Sequence, residues 1–268
     1  MNKYRKDRNY FLSYFNINIV VFLTLNLLLL FAKKSFFDFN FSIELLLLIP
    51  VGCVFGLVVA TAFHNASHGN IKPKTLNTIV GEFCGAFALD GMRNFRVGHM
   101  LHHIHADDEE NDPHPPHGLS FLEFIKTSKD RTIQVLIREY YKHHGQTRES
   151  ERNIELQLLS YKIGFLLKVT FWFLLFGPAL FLLFYIPAFA SYFFGFAHLN
   201  YISHGMNEEG ESEVLNHDGG IFYSVMNFLT SGGYYHKNHH KYPKLYNPSR
   251  LDKLESHSNS KFRVYNPS

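Results

Sequence analysis

Residues 42–68 read SIELLLLIPVGCVFGLVVATAFHNASH, and the fold turns on what this stretch is. Up to Phe63 its one charge is Glu44. A helix needs about 20 apolar residues to cross the hydrocarbon core of a bilayer, and 42–63 supplies them. Where such a helix would leave the membrane stand His64 and His68, spaced i, i+4, so that a continuing helix projects both imidazoles from one face. An apolar span that hands imidazoles to a membrane surface points to a membrane protein whose chemistry lies at the ends of its helices.

Working outward, residues 11–32 form a second stretch of this kind, preceded by Lys3, Arg5, Lys6 and Arg8. A secretory signal would have an apolar core of roughly 7–15 residues and a small-x-small cleavage site. This run is longer and ends in Phe31-Ala32-Lys33-Lys34, so it reads as a span. Residues 160–204 are long enough for two more, with Gly177-Pro178 and Pro187 as places to break the helix. The expectation is an all-α, multi-pass membrane protein forming a single domain over 1–268. Four transmembrane helices (about 11–32, 42–63, 160–181 and 184–204) form two hairpins. A helical cap (64–159 and 205–250) carries the histidines, and a polar, poorly ordered tail (251–268) follows.

The first two spans would be joined by a turn containing Lys33, Lys34 and Asp38. Lys168, inside the third span, must snorkel or find an internal partner. An even number of spans puts both termini and the cap on one side. Arg93, Arg96, Lys126, Lys129, Arg131, Arg138, Lys142, Arg148 and Arg152 lie there with the basic N-terminus, which makes that side cytoplasmic. Residues 118–142 carry an amphipathic helix with two readings. Phe121, Phe124, Ile125, Val135, Leu136 and Tyr140 face lipid in an interfacial helix, or the same face packs on the cap.

Composition narrows the function. With 28 Phe and a net charge of +3, the chain lacks the basic, aromatic-interleaved stripe that nucleic acid requires. Cys53 and Cys84 both sit in apolar surroundings and support neither a disulfide framework nor a thiolate zinc site.

The histidines carry the chemistry. Of 17, nine gather as His64/His68, His99/His102/His103, His204 and His236/His239/His240, each group next to an apolar stretch. The spacing H-x-x-H-H occurs at 99–103 and again at 236–240, and Asn200 with His204 forms another i, i+4 pair. Neutral imidazole is the commonest side-chain ligand for iron, copper, nickel and zinc. The zincin reading of the first pair fails because Asn65, not Glu, follows His64. Eight to ten nitrogen donors exceed one tetrahedral zinc and suit two ions of higher coordination number. Two iron ions fit both donor count and O2 chemistry, although ligand type alone does not separate iron from manganese or copper.

The boxes HNASH, HMLHH and HKNHH resemble those of the membrane fatty acid desaturase superfamily, and within it most resemble the acyl-CoA (stearoyl-CoA type) desaturases. The second box runs into an acidic stretch and Asp112-Pro113-His114, Asn200-Tyr-Ile-Ser-His204 matches the last-span motif, and His239-His240-Lys-Tyr-Pro243 matches the end of the third box. The similarity covers roughly 42–245. It implies a di-iron site held by His64, His68, His99, His102, His103, His204, His236, His239 and His240, with Asn200 bound through water. It implies desaturation of a fatty acyl substrate (acyl-CoA or acyl-lipid) drawn from membrane lipid, with O2 as co-substrate. Electrons would come from a carrier such as cytochrome b5 or ferredoxin, since the chain contains neither a His-Pro-Gly-Gly motif nor a cysteine-rich cluster motif. Two departures concern the substrate class. Three residues, not four, separate His64 from His68, a spacing commoner in acyl-lipid desaturases and carotenoid ketolases. Ser231-Gly232-Gly233 replaces Gly-Glu-Gly.

The remaining histidines read otherwise. His105, His114, His117, His143 and His144 are expected at the surface or behind the ligands, and His198 lies off the Asn200/His204 face. His217, Asp107, Asp108, Glu109, Glu110, Asp112 and Asp218 are candidates to support ligating imidazoles. The alternatives in function are a carotenoid ketolase or hydroxylase, or a lipid hydroxylase, on the same scaffold. A metal transporter or sensor would instead place its ligands along a path within the spans.

Overall fold

The computed structural model describes residues 1–32, 42–206 and 211–251. The expected turn with Lys33, Lys34 and Asp38, and nearly all of the polar tail, lie outside these residues. A short α1 (Asn2–Lys6) precedes α2 (Tyr10–Ala32), and a 3-10 turn (Ile43–Leu47) leads into α3 (Leu48–His68). Then come α4 (Lys74–Phe87), α5 (Met92–Ile104), α6 (Phe121–His144), α7 (Arg148–Leu180) and α8 (Ile186–Ser203). A two-stranded ribbon, β1 (His204–Met206) and β2 (Ser212–Val214), is followed by α9 (Gly220–Leu229) and α10 (His236–Lys241).

Three continuous stretches are long and apolar enough to cross a membrane: Tyr10–Ala32, Ile43–His68 and Arg148–Ser203. The third has 56 residues, and a straight helix of that length would extend about 84 Å against a hydrocarbon core of about 30 Å. It does not run straight. Gly177 takes φ 72° and ψ 170°, a left-handed conformation that glycine adopts without a steric penalty. Beyond it the chain reverses, so that the rings of Trp172 and Tyr185 stack 5.7 Å apart. The stretch is therefore two legs. The break falls at Gly177, a few residues before the expected boundary, and the helix of the first leg starts at Arg148 in the cap instead of near 160.

The legs pair in register. Phe15 meets Tyr161 and Phe22 meets Phe171, while the Ser160 hydroxyl donates to Asn16 (2.9 Å), so α2 and α7 run parallel. Likewise α3 and α8 run parallel, with Gly52 against Phe184, Gly56 against Ala188 and the Ser191 hydroxyl on the Cys53 carbonyl (2.7 Å). A Cβ at Gly52 or Gly56 would drive into the facing backbone carbonyl, so these two glycines allow backbone-to-backbone contact between the helices. In consequence the C-terminal ends of α3 and α8 emerge together, bringing His64 and His68 beside Asn200 and His204.

Lys168 finds an internal partner instead of snorkelling. It is buried, its ammonium donates to the Asp90 carbonyl in the α4–α5 turn, and it lies 5.8 Å from the Phe22 ring centroid. Helix α6 starts at a capping box between Ser120 and Glu123. Phe124, Val135 and Tyr140 of its apolar face are buried in protein, and Leu136 packs with Tyr4, Phe11 and Leu101. The packed-cap reading thus replaces the lipid-facing one for this face, because α1 and the start of α2 cover it.

Since α3 and α8 touch through backbone, Gly56→Leu should separate them, at a cost of at least about 1–3 kcal/mol. Thermal unfolding in detergent should show the lowered midpoint, together with reduced metal retention. A wild-type midpoint would mean that the helix contact does not position the site.

Candidate metal centre

Helix α3 ends immediately after His68 because Gly69, at φ 76°, caps it in the left-handed conformation. That leaves His64 and His68 one turn apart on one face at the end of the span. Helix α5 carries the second box, β1 begins with His204, and α10 carries the third box. The ligand atoms of His64, His68, His99, His103 and His239 lie within 4.8 Å of one another, and so do those of His102, His204, His236 and His240. The nine histidines expected from the sequence are thereby all brought together, as one set of five and one of four.

The H-x-x-H-H spacing explains this division. On α5, His99 and His103 share a face and turn to the first set, while His102 turns to the second. On α10 the roles exchange, with His236 and His240 in the second set and His239 in the first. The sets abut, with the His103 and His240 rings 4.3 Å apart. Within them the Nε2 atoms face each other: His68–His99 at 2.8 Å, His103–His239 at 3.0 Å and His204–His236 at 3.1 Å.

Two carboxylates fix the proton positions of the second set. Asp112 is fully buried and lies 3.0 and 3.1 Å from His102 Nδ1, while accepting the backbone N–H groups of Asp107 and His114. Asp107 lies 3.0 Å from His204 Nδ1 and 3.0 Å from His117 Nε2. With Nδ1 protonated against a carboxylate, each Nε2 presents a bare lone pair inward. His102 Nε2 and Asn200 Oδ1 are buried without hydrogen-bond partners among the described residues. A buried, unpartnered acceptor is costly, and a cation or a cation-bound water satisfies it. Burial, followed by repulsion among the rings, holds His99, His102, His103, His236 and His239 well below the ordinary histidine range. They are neutral donors, as a metal requires. The residues present thus fit two metal ions.

Of the six acidic candidates, Asp107 and Asp112 are the ones in contact with rings of the two histidine sets. Asp108 caps its own loop at Glu110 and Asn111, and Asp218 is exposed. His217 contacts the Ile202 carbonyl (2.9 Å) instead of a carboxylate, and His198 the Tyr234 hydroxyl (2.9 Å). His143 pairs with Glu139 on α6. His114 stacks on His102 at 4.4 Å, behind the ligand set, and His117 supports Asp107.

Asn216 and Asn238 went unrecognised in the sequence. The Asn238 N–H donates to Asn216 Oδ1, the Asn216 amide returns a bond to Asn238 Oδ1, and the Asn238 amide donates to the Pro248 carbonyl. Asn70, just past the first box, donates to the Pro243 carbonyl at the end of the third. Only the unusual polarity of an Asn inside the third box could have signalled this. A cavity of about 360 Å3 reaches the site, lined by His99, His114 and Asn200 together with Phe124, Phe189 and Phe196.

A bundle of apolar legs capped by buried histidines in two ligand-competent sets defines an integral membrane metalloprotein. The family model described as fatty acid desaturase matches residues 43–258, and the chain belongs to that family. No curated protein and no solved structure matches it.

Asp112→Asn should weaken the second set selectively, because an amide placed among the Asp107 and His114 N–H donors cannot hold the His102 proton in the same way. Losing such a partner costs about 10–100-fold in metal affinity, so bound metal measured by plasma mass spectrometry should fall towards about half. Unchanged metal content would exclude the carboxylate's role. Burial, and then His204, depress His240 from 6.5 to about 3. Between those values the unfolded chain binds more protons than the folded one, so stability rises with pH. The metal-stripped protein should lose thermal stability as pH falls from 6.5 towards 3. A flat profile there would show imidazoles that titrate as if in water.

Proposed function

We propose that the chain is a membrane di-iron fatty acyl desaturase. Its two iron sites are the five-histidine set and the four-histidine set, the latter completed by Asn200 through water. The observation that carries this reading is the cavity: a largely apolar void that His99 and Asn200 help to line, in a chain of the desaturase family. The reaction converts CH2–CH2 to CH=CH, with O2, two electrons and two protons forming two water molecules. Two bound iron ions supply what no acid or base side chain can, the activation of O2 for attack on a C–H bond of negligible acidity.

The chain's own residues do the rest. Apolar walls exclude water and hold an acyl chain extended, so that one C–C bond lies beside His99 and Asn200. Asp107 and Asp112 keep the imidazoles oriented and neutral. The four legs form four spans, with the cap, the histidines and both termini cytoplasmic, consistent with the basic cap. Electrons arrive from a separate carrier such as cytochrome b5 or ferredoxin, for which the cap's Lys and Arg offer an electrostatic partner surface. The gathering of all nine histidines at one end of the bundle, instead of along it, argues against a transport path.

Expression in a host with a simple lipid profile should produce acyl species lighter by two hydrogens, absent with His239→Ala and retained with His143→Ala. Acyl chains gaining oxygen, or oxidised carotenoids in a carotene-producing host, would transfer the chain to the hydroxylase or ketolase branch. Full activity of His239→Ala would sink the site.

A further inference from the structure

The cavity leading from the histidines is not uniformly apolar. Two rows of side chains run along it. Helix α5 contributes His99 and Phe95, with Asp90 in the turn before it. Helix α8 contributes Asn200, Phe196 and Tyr192, spaced along one face. Phe95 and Phe196 meet with ring centroids 5.8 Å apart, so the rows lie side by side. Beyond this aromatic rung, Asp90, Tyr161 and Tyr192 all line the void.

These three groups have hydrogen-bonding capacity to spare. Asp90 Oδ1 accepts the Gly91 N–H (2.8 Å) and the Asn94 amide, but no donor among the described residues meets Oδ2. Asp90 keeps part of its surface open. The hydroxyls of Tyr161 and Tyr192 line the cavity with no hydrogen-bond partner among the described residues, and Asp90 lies within electrostatic reach of both. By contrast, Thr132 and Ser128 on the same wall are bonded to carbonyls of Pro113 and Ile125. Lys129 also lines the void and offsets part of the Asp90 charge, but a plain alkyl chain filling this space would leave Asp90 Oδ2 and two phenols desolvated and without a hydrogen-bond partner, which is unfavourable. An ester or thioester carbonyl only accepts, so it could meet a phenol or Lys129 but would leave Asp90 Oδ2 unmet. A hydroxyl donates to Asp90 and accepts from a phenol at once.

We propose that this recess binds a hydroxyl carried by the substrate, so that the cavity selects hydroxylated acyl chains over unsubstituted ones. The inference rests on the acyl-chain reading of the cavity. Tyr192 precedes Asn200 by two helical turns, about 12 Å along α8 at 1.5 Å per residue. With carbon–carbon bonds of about 1.5 Å, an extended chain advances about 1.25 Å per bond. Hydroxyl and reacting carbon therefore stand about nine or ten bonds apart.

The test uses the full chain in nanodiscs, and its first readout is independent of turnover. A fluorescent conjugated-polyene fatty ester is displaced by methyl octadecanoate or by each of its monohydroxy isomers. The expected result is a series with one optimum, an isomer bound about tenfold more tightly than the unsubstituted ester. Tyr161→Phe and Tyr192→Phe should each shrink that ratio severalfold, and these variants keep the ring packing, so failure to fold is not the issue. With reducing partner and O2 supplied, the new double bond should lie about nine or ten bonds from the hydroxyl. Equal affinity of hydroxylated and plain esters overturns the hydroxyl site and leaves the desaturase reading standing. Displacement by neither ester overturns both.

Discussion

Everything in this molecule is arranged around nitrogen lone pairs that point at one another. His204 and His102 have their Nδ1 protons held against Asp107 and Asp112, so their Nε2 atoms can only accept, yet they face other imidazoles or nothing. Without positive charge between them such an array is self-repelling and desolvated, and protonation, the ordinary escape of a histidine, is opposed by burial. A cation within each set would resolve the conflict. Because α3, α5, β1 and α10 all contribute to the sets, the sets also tie the cap to the membrane legs.

The membrane part meets this demand through helix contact instead of side-chain bulk. Parallel pairing of α2 with α7 and of α3 with α8 puts the histidine-bearing ends at the same level, and Gly52 and Gly56 bring two backbones into contact. Lys168 would be an anomaly in an isolated span. In the bundle it ties α7 to the α4–α5 turn through the Asp90 carbonyl, and that turn is where the helix carrying the second histidine box begins. A charge that costs energy in lipid thus anchors the element on which the site depends.

Much of this was legible in the residues alone, for physical reasons. Apolar length reports membrane legs because the bilayer sets it, and i, i+3, i+4 spacing reports ligand faces because the helix repeat sets it. The H-x-x-H-H spacing splits each box between two faces, but which face of α5 meets which face of α10, and so the sets of five and four, depends on how the two helices pack. The choice of Asp107 and Asp112 among six carboxylates was equally hidden, being decided by a loop in which Asp107 adopts φ 66°. The face of α6 was ambiguous because an apolar stripe fits lipid and protein alike. Only the packing of α1 and α2 onto it separates the two. Gly177 was visible as a break, but its exact place, and the reversal of the chain there, required the ring contacts across it.

Helix α10 is the point at which these constraints meet. It has six residues, far too few to be stable alone, and three of them are histidines divided between the two sets. Its own sequence offers no helix-stabilising cap, and its place is held instead by Asn238 bonded to Asn216 and Pro248, and by Asn70 reaching Pro243. Each of these bonds ends on a different loop, so α10 can be ordered only when the first box, the ribbon and the C-terminal turn are already in position. The five-histidine set takes four of its imidazoles from α3 and α5, whereas the four-histidine set takes two of its four from α10. The first set can therefore assemble in outline from membrane-anchored helices alone, and the second cannot. That asymmetry makes the second set the one that depends on the placement of α10.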